Sequence, residues 1–206
     1  MPLARPAHYE TADVRVDKVI VGPFENNAYV IRCTRSGDAV LIDAANEHDL
    51  LIPLCRQLGV RRVLTTHGHW DHVQAVTAAR NAGIDVGIAH GDADMLKSYD
   101  FVIHDEDVFE VGRLRISTIH NPGHTPGSVS FLLNDHPLVF TGDTLFPGGP
   151  GNTSAHAQAS FDQIIESIDR RLFTLAPDVR VLPGHGLDTT IATERPSLDM
   201  WVERGW

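Results

Sequence analysis

The stretch Val63-Leu64-Thr65-Thr66-His67-Gly68-His69-Trp70-Asp71-His72 decides how the rest of the chain is read. Its first half, taken from residue 62, is β-branched and apolar and predicts a strand over residues 62–66. Its second half places four potential metal ligands within six residues. In an extended segment His67 and His69 project to the same side, and Asp71 and His72, where a helix is expected to begin, can turn back toward them. Two pairs of ligands at this spacing point to two metal ions. The alternative, a polar helix start with exposed histidines, leaves the repetition of histidine unexplained.

Outward from this stretch, apolar alternation predicts strands over residues 14–21, 28–33 and 39–43, which read as an antiparallel meander. A helix is expected over 47–58, bent or delayed by Pro53 and closed by Gly59. A helix over 71–82 and a strand over 85–89 complete a β-α-β unit. A short helix near 92–99 precedes strands at 114–119, 128–133 and 138–141, with turns at Asn121-Pro122-Gly123 and Asn134-Asp135. Between residues 160 and 172, Phe161, Ile164, Ile165, Ile168 and Leu172 fall on one helix face. A strand over 180–182 and an amphipathic helix over 190–206 end the pattern. Strand groups mixed with helices predict stacked sheets with helices outside, as one domain over residues 1–206.

Composition narrows the function. The 206 residues carry 17 Lys and Arg against 27 Asp and Glu, a net charge of −10, so neither nucleic acid nor an anionic membrane would find a basic stripe to bind. No run approaches the roughly 18 apolar residues of a membrane span, and the N-terminus lacks the apolar core of a secretory signal, so the cytoplasm is the expected compartment. The two cysteines, Cys33 and Cys55, form no CxxC pair and read as buried thiols. Histidine, 12 of 206 residues, is in excess, a bias associated with metal binding.

Three further candidates sit where strands pass into loops. His124 lies in Asn121-Pro122-Gly123-His124-Thr125-Pro126-Gly127, Asp143 ends the apolar run at residues 138–143, and His185 lies in Leu182-Pro183-Gly184-His185-Gly186. Each alone has an ordinary explanation as a turn cap or a solvated imidazole. With the hexapeptide they make a series. Asp43, at the end of the strand over 39–43, is the candidate acceptor for a ligating histidine.

The series His67, His69, Asp71, His72, His124, Asp143 and His185 resembles the metallo-β-lactamase superfamily, and within it the short, single-domain glyoxalase II-like hydrolases. The match runs over residues 26–195. It implies an α/β fold, the four-layer αββα sandwich, with metals at one edge between the sheets. It further implies one metal on His67, His69 and His124, a second on Asp71, His72 and His185, and Asp143 bridging both. Two divalent ions are expected, zinc first, with iron or manganese as alternatives, because the nitrogen and oxygen ligands suit all three. A metal-bridging hydroxide would be the nucleophile, with Asp71 and Asp143 as the catalytic carboxylates.

Departures within the superfamily select among relatives. Metallo-β-lactamases generally lack the bridging aspartate present here as Asp143, and diiron flavoproteins carry glutamate where His69 stands. Lactonases often place tyrosine where this chain has Phe146. Nuclease relatives are longer. Glyoxalase II proper adds a glutathione-binding helical domain and a basic anchor after the bridging aspartate. This chain ends 21 residues past His185, without that domain, and has no basic residue over 146–153. A small-molecule thioester is the preferred substrate, because a thiolate of pKa ~8.5 leaves unprotonated and no acid is evident. The alternatives are a mononuclear iron persulfide dioxygenase using His67, His124 and Asp143, a metal-dependent ester or lactone hydrolase, and a metal-binding protein without turnover.

Other features read more plainly. Trp70 is expected to pack beside the site, shaping its entrance being the lesser alternative. Residues 104–110 read as a solvated acidic loop, or else a lid over the metals. Asn152 and His156 are candidates for substrate contact or a surface role. Trp201 and Trp206 read as packing residues, or as part of a homodimer contact.

Overall fold

The computed structural model describes residues 7–154 and 157–205; His156 and Trp206 lie outside them. A first sheet of seven strands runs in chain order: β1 (Tyr9–Glu10), β2 (Val14–Val21), β3 (Asn26–Cys33), β4 (Ala39–Ile42), β5 (Val60–Leu64), β6 (Asp85–Ala89) and β7 (Phe101–Ile103). It is antiparallel through β4, as the expected meander requires, and parallel from β4 to β7. The parallel pairs need crossovers. Helix α1 (His48–Leu58) makes the first, and α2 (Trp70–Val73) with α3 (Val76–Asn81) makes the second.

The second sheet contains β8 (Val108–Val111), β9 (Leu114–His120), β10 (Val129–Leu133), β11 (Leu138–Gly142), β14 (Arg180–Pro183) and β15 (Thr189–Thr190), while β12 (Leu145–Phe146) and β13 (Gly149–Pro150) form a separate ribbon. Its order is β15-β14-β11-β10-β9-β8, with β11 and β14 parallel. Helix α4 (Phe161–Ser167), extended by a wider turn over Ile168–Leu172, precedes β14. After β15 come α5 (Ile191–Glu194) and α6 (Leu198–Arg204).

Alternation along single strands builds three hydrophobic layers from these two sheets. In β4, Ala39 and Leu41 face the helices α1 and α3, while Val40 and Ile42 face the other sheet. In β11, Leu138 and Phe140 enter the layer between the sheets, and Val139 points to α4 and α6. The fold is therefore the αββα sandwich.

Four local expectations are corrected. The helix expected over 71–82 is broken at Gln74 and Ala75, whose N–H groups bond to Ala45 and Ala44 carbonyls instead of continuing one helix. Pro53 does not delay α1: it lies on the exposed side, where its missing N–H leaves no buried group unpaired. The short helix expected near 92–99 is a 3₁₀ segment, His90–Met95. The terminal helix is interrupted by a 3₁₀ turn at Arg195–Ser197, which contains Pro196.

The acidic stretch 104–110 is not a lid. Its second half becomes β8, paired with β9, and Glu106 N–H bonds to the Thr118 carbonyl. Asp105 accepts the His120 N–H at 2.8 Å and pairs with Arg171 at 2.8 Å, so the stretch is fastened to the second sheet.

Candidate metal centre

All seven candidate ligands meet at one edge of the sandwich, where strand ends of both sheets converge. The strand β4 ends at Ile42, and Asp43 follows in the left-handed region at φ 58°. That turn directs its carboxylate at the end of β5: Oδ1 accepts the Thr66 N–H at 2.7 Å, and Oδ2 accepts the Thr66 hydroxyl at 2.7 Å. His67, His69, Asp71 and His72 are thereby held at the mouth of the first sheet.

The second sheet delivers the other three. His124 follows β9 in a turn whose Gly123, at φ 138°, lies against the Ile164 backbone, where no side chain would fit. Asp143 follows β11, and His185 follows β14. The Gly184 N–H bonds to the Gly142 carbonyl at 2.8 Å, fixing these two loops to each other. The Asn27 N–H donates to the Gly184 carbonyl at 2.7 Å and fixes both to β3.

Three ligand clusters have donor atoms within 4.8 Å of one another among the described residues: His67, His69 and His124; Asp71, His72 and His185; and His67, His72 and Asp143. Asp143 reaches both three-ligand groups, with Oδ1 3.3 Å from His72 Nε2 and Oδ2 3.7 Å and 3.5 Å from the Nε2 atoms of His124 and His185. This is where a bridging carboxylate would stand.

The outer nitrogens of the rings decide what the inner ones can do. His72 Nδ1 meets Asp43 Oδ2 at 2.8 Å, His124 Nδ1 the Asn152 carbonyl at 2.8 Å, and His185 Nδ1 the Phe24 carbonyl at 2.8 Å. Each neutral ring so held donates outward and turns a bare lone pair inward. Facing nitrogens lie 2.9 Å apart in His69 and His124, and 3.2 Å apart in His72 and His185. Lone pairs at that separation repel unless a proton or a cation lies between them. Two ligands ~2.05 Å from a tetrahedral ion are about 3.3 Å apart, close to these spacings.

Buried atoms without partners fit the same group. His67 Nε2 and Asp143 Oδ1 are buried and make no hydrogen bond. Burial holds the His67 imidazole well below its ordinary pKa, and the neighbouring histidines reinforce the shift. That favours the neutral ring a metal would require. Burial pushes the Asp71 and Asp143 carboxyls up, but His185, His72 and Asn26 outweigh it at Asp71, and His72, His124 and His185 at Asp143. Both stay ionised. Against the cost of burial, Asp143 and Asp43 raise His72, and Asp71 and Asp143 raise His185.

Asp43 meets the outer nitrogen of His72, a candidate ligand, as expected of it. Several supporting groups were not read from the sequence. Asn26 Nδ2 donates to Asp71 Oδ2 at 2.9 Å, and the Asn152 and Phe24 carbonyls orient two rings. Asn152 thus acts through its backbone, while its side chain accepts from Ser154. Trp70, expected to pack, is 56% exposed and meets Phe24 edge-on at 5.2 Å. Phe146 stacks on His185 at 6.5 Å.

Residues 21–185 match the model of the metallo-beta-lactamase superfamily. The chain belongs to that superfamily. Among curated relatives, this superfamily member is 28% identical to the hydroxyacylglutathione hydrolase GloC of Haemophilus influenzae, over 89% of this chain and 96% of GloC. It is 31% identical to the mitochondrial persulfide dioxygenase ETHE1 of Bos taurus, over 83% of this chain and 69% of that protein. Among solved structures, the BLEG-1 B3 metallo-beta-lactamase superposes with a TM-score of 0.80 at 26% identity, covering 88% of this chain and 96% of BLEG-1. TTHA1623 in a di-iron-bound form gives 0.76 at 28% identity, covering 86% and 96%. The His/Asp cluster is the metal-binding site of a metallo-hydrolase fold. No helix among the described residues is long and apolar enough to cross a membrane.

Proposed function

We propose that this superfamily member is a dinuclear metal-dependent hydrolase that cleaves small-molecule thioesters of the hydroxyacyl-thiol type. The observation that carries the reading is the pair of three-residue clusters, each with its ligand atoms within 4.8 Å of one another, with Asp143 within reach of both. His67, His69 and His124 would hold one ion, Asp71, His72 and His185 the other. Bound there, two divalent cations supply Lewis acidity, which lowers the pKa of a water from 15.7 to about 7 and polarises a carbonyl. Asp71 is steadied by Asn26, and Asp143 keeps its charge although buried, so both are available to orient a nucleophilic water. Aromatic groups at the rim, Phe24, Trp70 and Phe146, donate no strong acid proton to a departing group. A thiolate leaves without one. Phe146, where a phenol would assist ring opening, weighs against the lactone alternative. The reading places the protein in the reducing cytoplasm, which suits the buried free thiols of Cys33 and Cys55.

A second reading, a mononuclear iron persulfide dioxygenase on His67, His124 and Asp143, is favoured by the similarity to ETHE1. Plasma emission analysis of the purified protein, with thiol release from a 2-hydroxyacyl thioester and oxygen uptake on a persulfide, separates the two. Two divalent ions per chain with thiol release is the expected result. One iron with oxygen uptake would overturn the hydrolase.

A further inference from the structure

Asp92 is fully buried and stands outside the three candidate ligand clusters. Its carboxylate sits between two loops distant in sequence. Oδ2 accepts the Gly68 N–H at 2.8 Å and the Thr125 hydroxyl at 2.7 Å, and Oδ1 accepts the Gly127 N–H at 2.7 Å. Gly68 is the residue between His67 and His69. Thr125 directly follows His124. One carboxylate therefore joins the two segments that carry the three-histidine cluster.

The surroundings leave these segments little room to shift. A Cβ at Gly68 would stand 2.7 Å from Met95 Cβ and 3.1 Å from Asp92 Cβ, one at Gly127 would meet the Asp92 backbone and carboxylate, and one at Gly91 would stand 2.8 Å from the Pro126 and Gly127 backbones. The 3₁₀ turn His90–Met95 is thus pressed onto both loops. Three donors satisfy the buried carboxylate, and its charge strengthens each bond. Asp43 braces the other cluster through His72 Nδ1, whereas Asp92 grips two backbone N–H groups and the Thr125 hydroxyl.

We infer that Asp92 is the positioning residue of the three-histidine site, setting the separation of His67 and His69 from His124 by clamping the loops that bear them. This rests on the proposed use of that cluster for metal. Exchange of the carboxylate for an amide turns an N–H₂ group toward one of three donors, so at least one clamp bond is lost and the loops can part. Partners one step behind a ligand are typically worth 10–100-fold in metal affinity.

The test is zinc stoichiometry and affinity, by dialysis and competition with a chromophoric chelator, for the wild-type chain, Asp92→Asn and Thr125→Val. Cobalt(II) absorption then reports which site has changed. In Asp92→Asn, one zinc should weaken at least tenfold, with altered cobalt bands, while the other zinc keeps its affinity. Thr125→Val removes the bond to Asp92, together with the 2.7 Å contact to the Ser128 hydroxyl, with little change in volume, and should weaken the same zinc by a smaller factor, which keeps the test decisive if Asp92→Asn does not fold. Wild-type affinity for both zincs in the variants, or equal weakening of both, would overturn the inference. If the wild-type chain binds a single metal, the hydrolase reading fails but the clamp is still tested on that metal, which should weaken tenfold. A wild-type chain that binds none overturns both.

Discussion

Gly184 shows how closely the centre is fitted. A Cβ there would collide with Asp143 Oδ1 and would stand 2.6 Å from His72 Cε1, two groups that form the middle of the cluster. Nothing in its backbone asks for glycine, since its φ is not positive. The residue is small because the site needs the space. Gly184→Ala should therefore leave the circular dichroism spectrum and the thermal midpoint close to wild type while reducing hydrolytic turnover at least tenfold; unchanged turnover would show that Asp143 and His72 can move aside. At this scale the cluster of candidate ligands was legible because their side chains carry the chemistry and four of them lie within six residues. Asp43 was legible as a strand-end carboxylate. The Asn152 and Phe24 carbonyls were not, because every residue has a carbonyl and only the fold says which one meets an imidazole. Asp92 reads from the sequence as an ordinary helix-start aspartate, since its three donors are supplied by residues 24 to 35 positions away.

Elements with one clear period were readable, and those shaped by distant partners were not. The face formed by Ile164, Ile168 and Leu172 is buried as its spacing requires. The break at Gln74 and Ala75 depends on carbonyls at Ala44 and Ala45, which no local pattern announces. The terminal α6 lies between these cases. Interrupted after α5 and only seven residues long, it has little helical stability of its own and is held by Trp201, which is fully buried with Phe173 at 6.0 Å and beside Ile191 and Leu145. This bears out the packing role expected for Trp201. Trp201→Ala should cost about 3–5 kcal/mol in denaturant unfolding. A loss under 1 kcal/mol would show that α6 is not part of the cooperative structure.

Across the whole molecule, charge ties the first strands to the last. Asp188 accepts from His8 at 2.8 Å and from Arg180 at 2.6 Å, with Lys18 3.6 Å away, linking the N-terminal segment and β2 to the loop beyond His185. Burial raises the Asp188 carboxyl, but these partners outweigh it and hold it below its ordinary value of 3.8. A depressed carboxyl stabilises the fold above its unfolded pKa, and that contribution is lost as pH falls through the folded value. The stability difference between wild type and Asp188→Asn should therefore be full at pH 6 and shrink below pH 4; a difference independent of pH would refute the role of its charge. The layered architecture was foreseen from alternating strands and helices. The sheet order was not, because the parallel pairing of β11 with β14 spans about forty residues and leaves no periodic trace between them.

Each of the two clusters draws ligands from both sheets, His67, His69, Asp71 and His72 from the first and His124, Asp143 and His185 from the second. The centre therefore acts as a gauge of how the sheets sit on each other. Sliding one sheet by half an ångström changes every cross-sheet ligand distance together, although no ligand has changed its rotamer. The layer between the sheets, with Phe131, Phe140, Ile31 and Leu64, sets that register. Residues remote from the site can in this way tune it through packing alone.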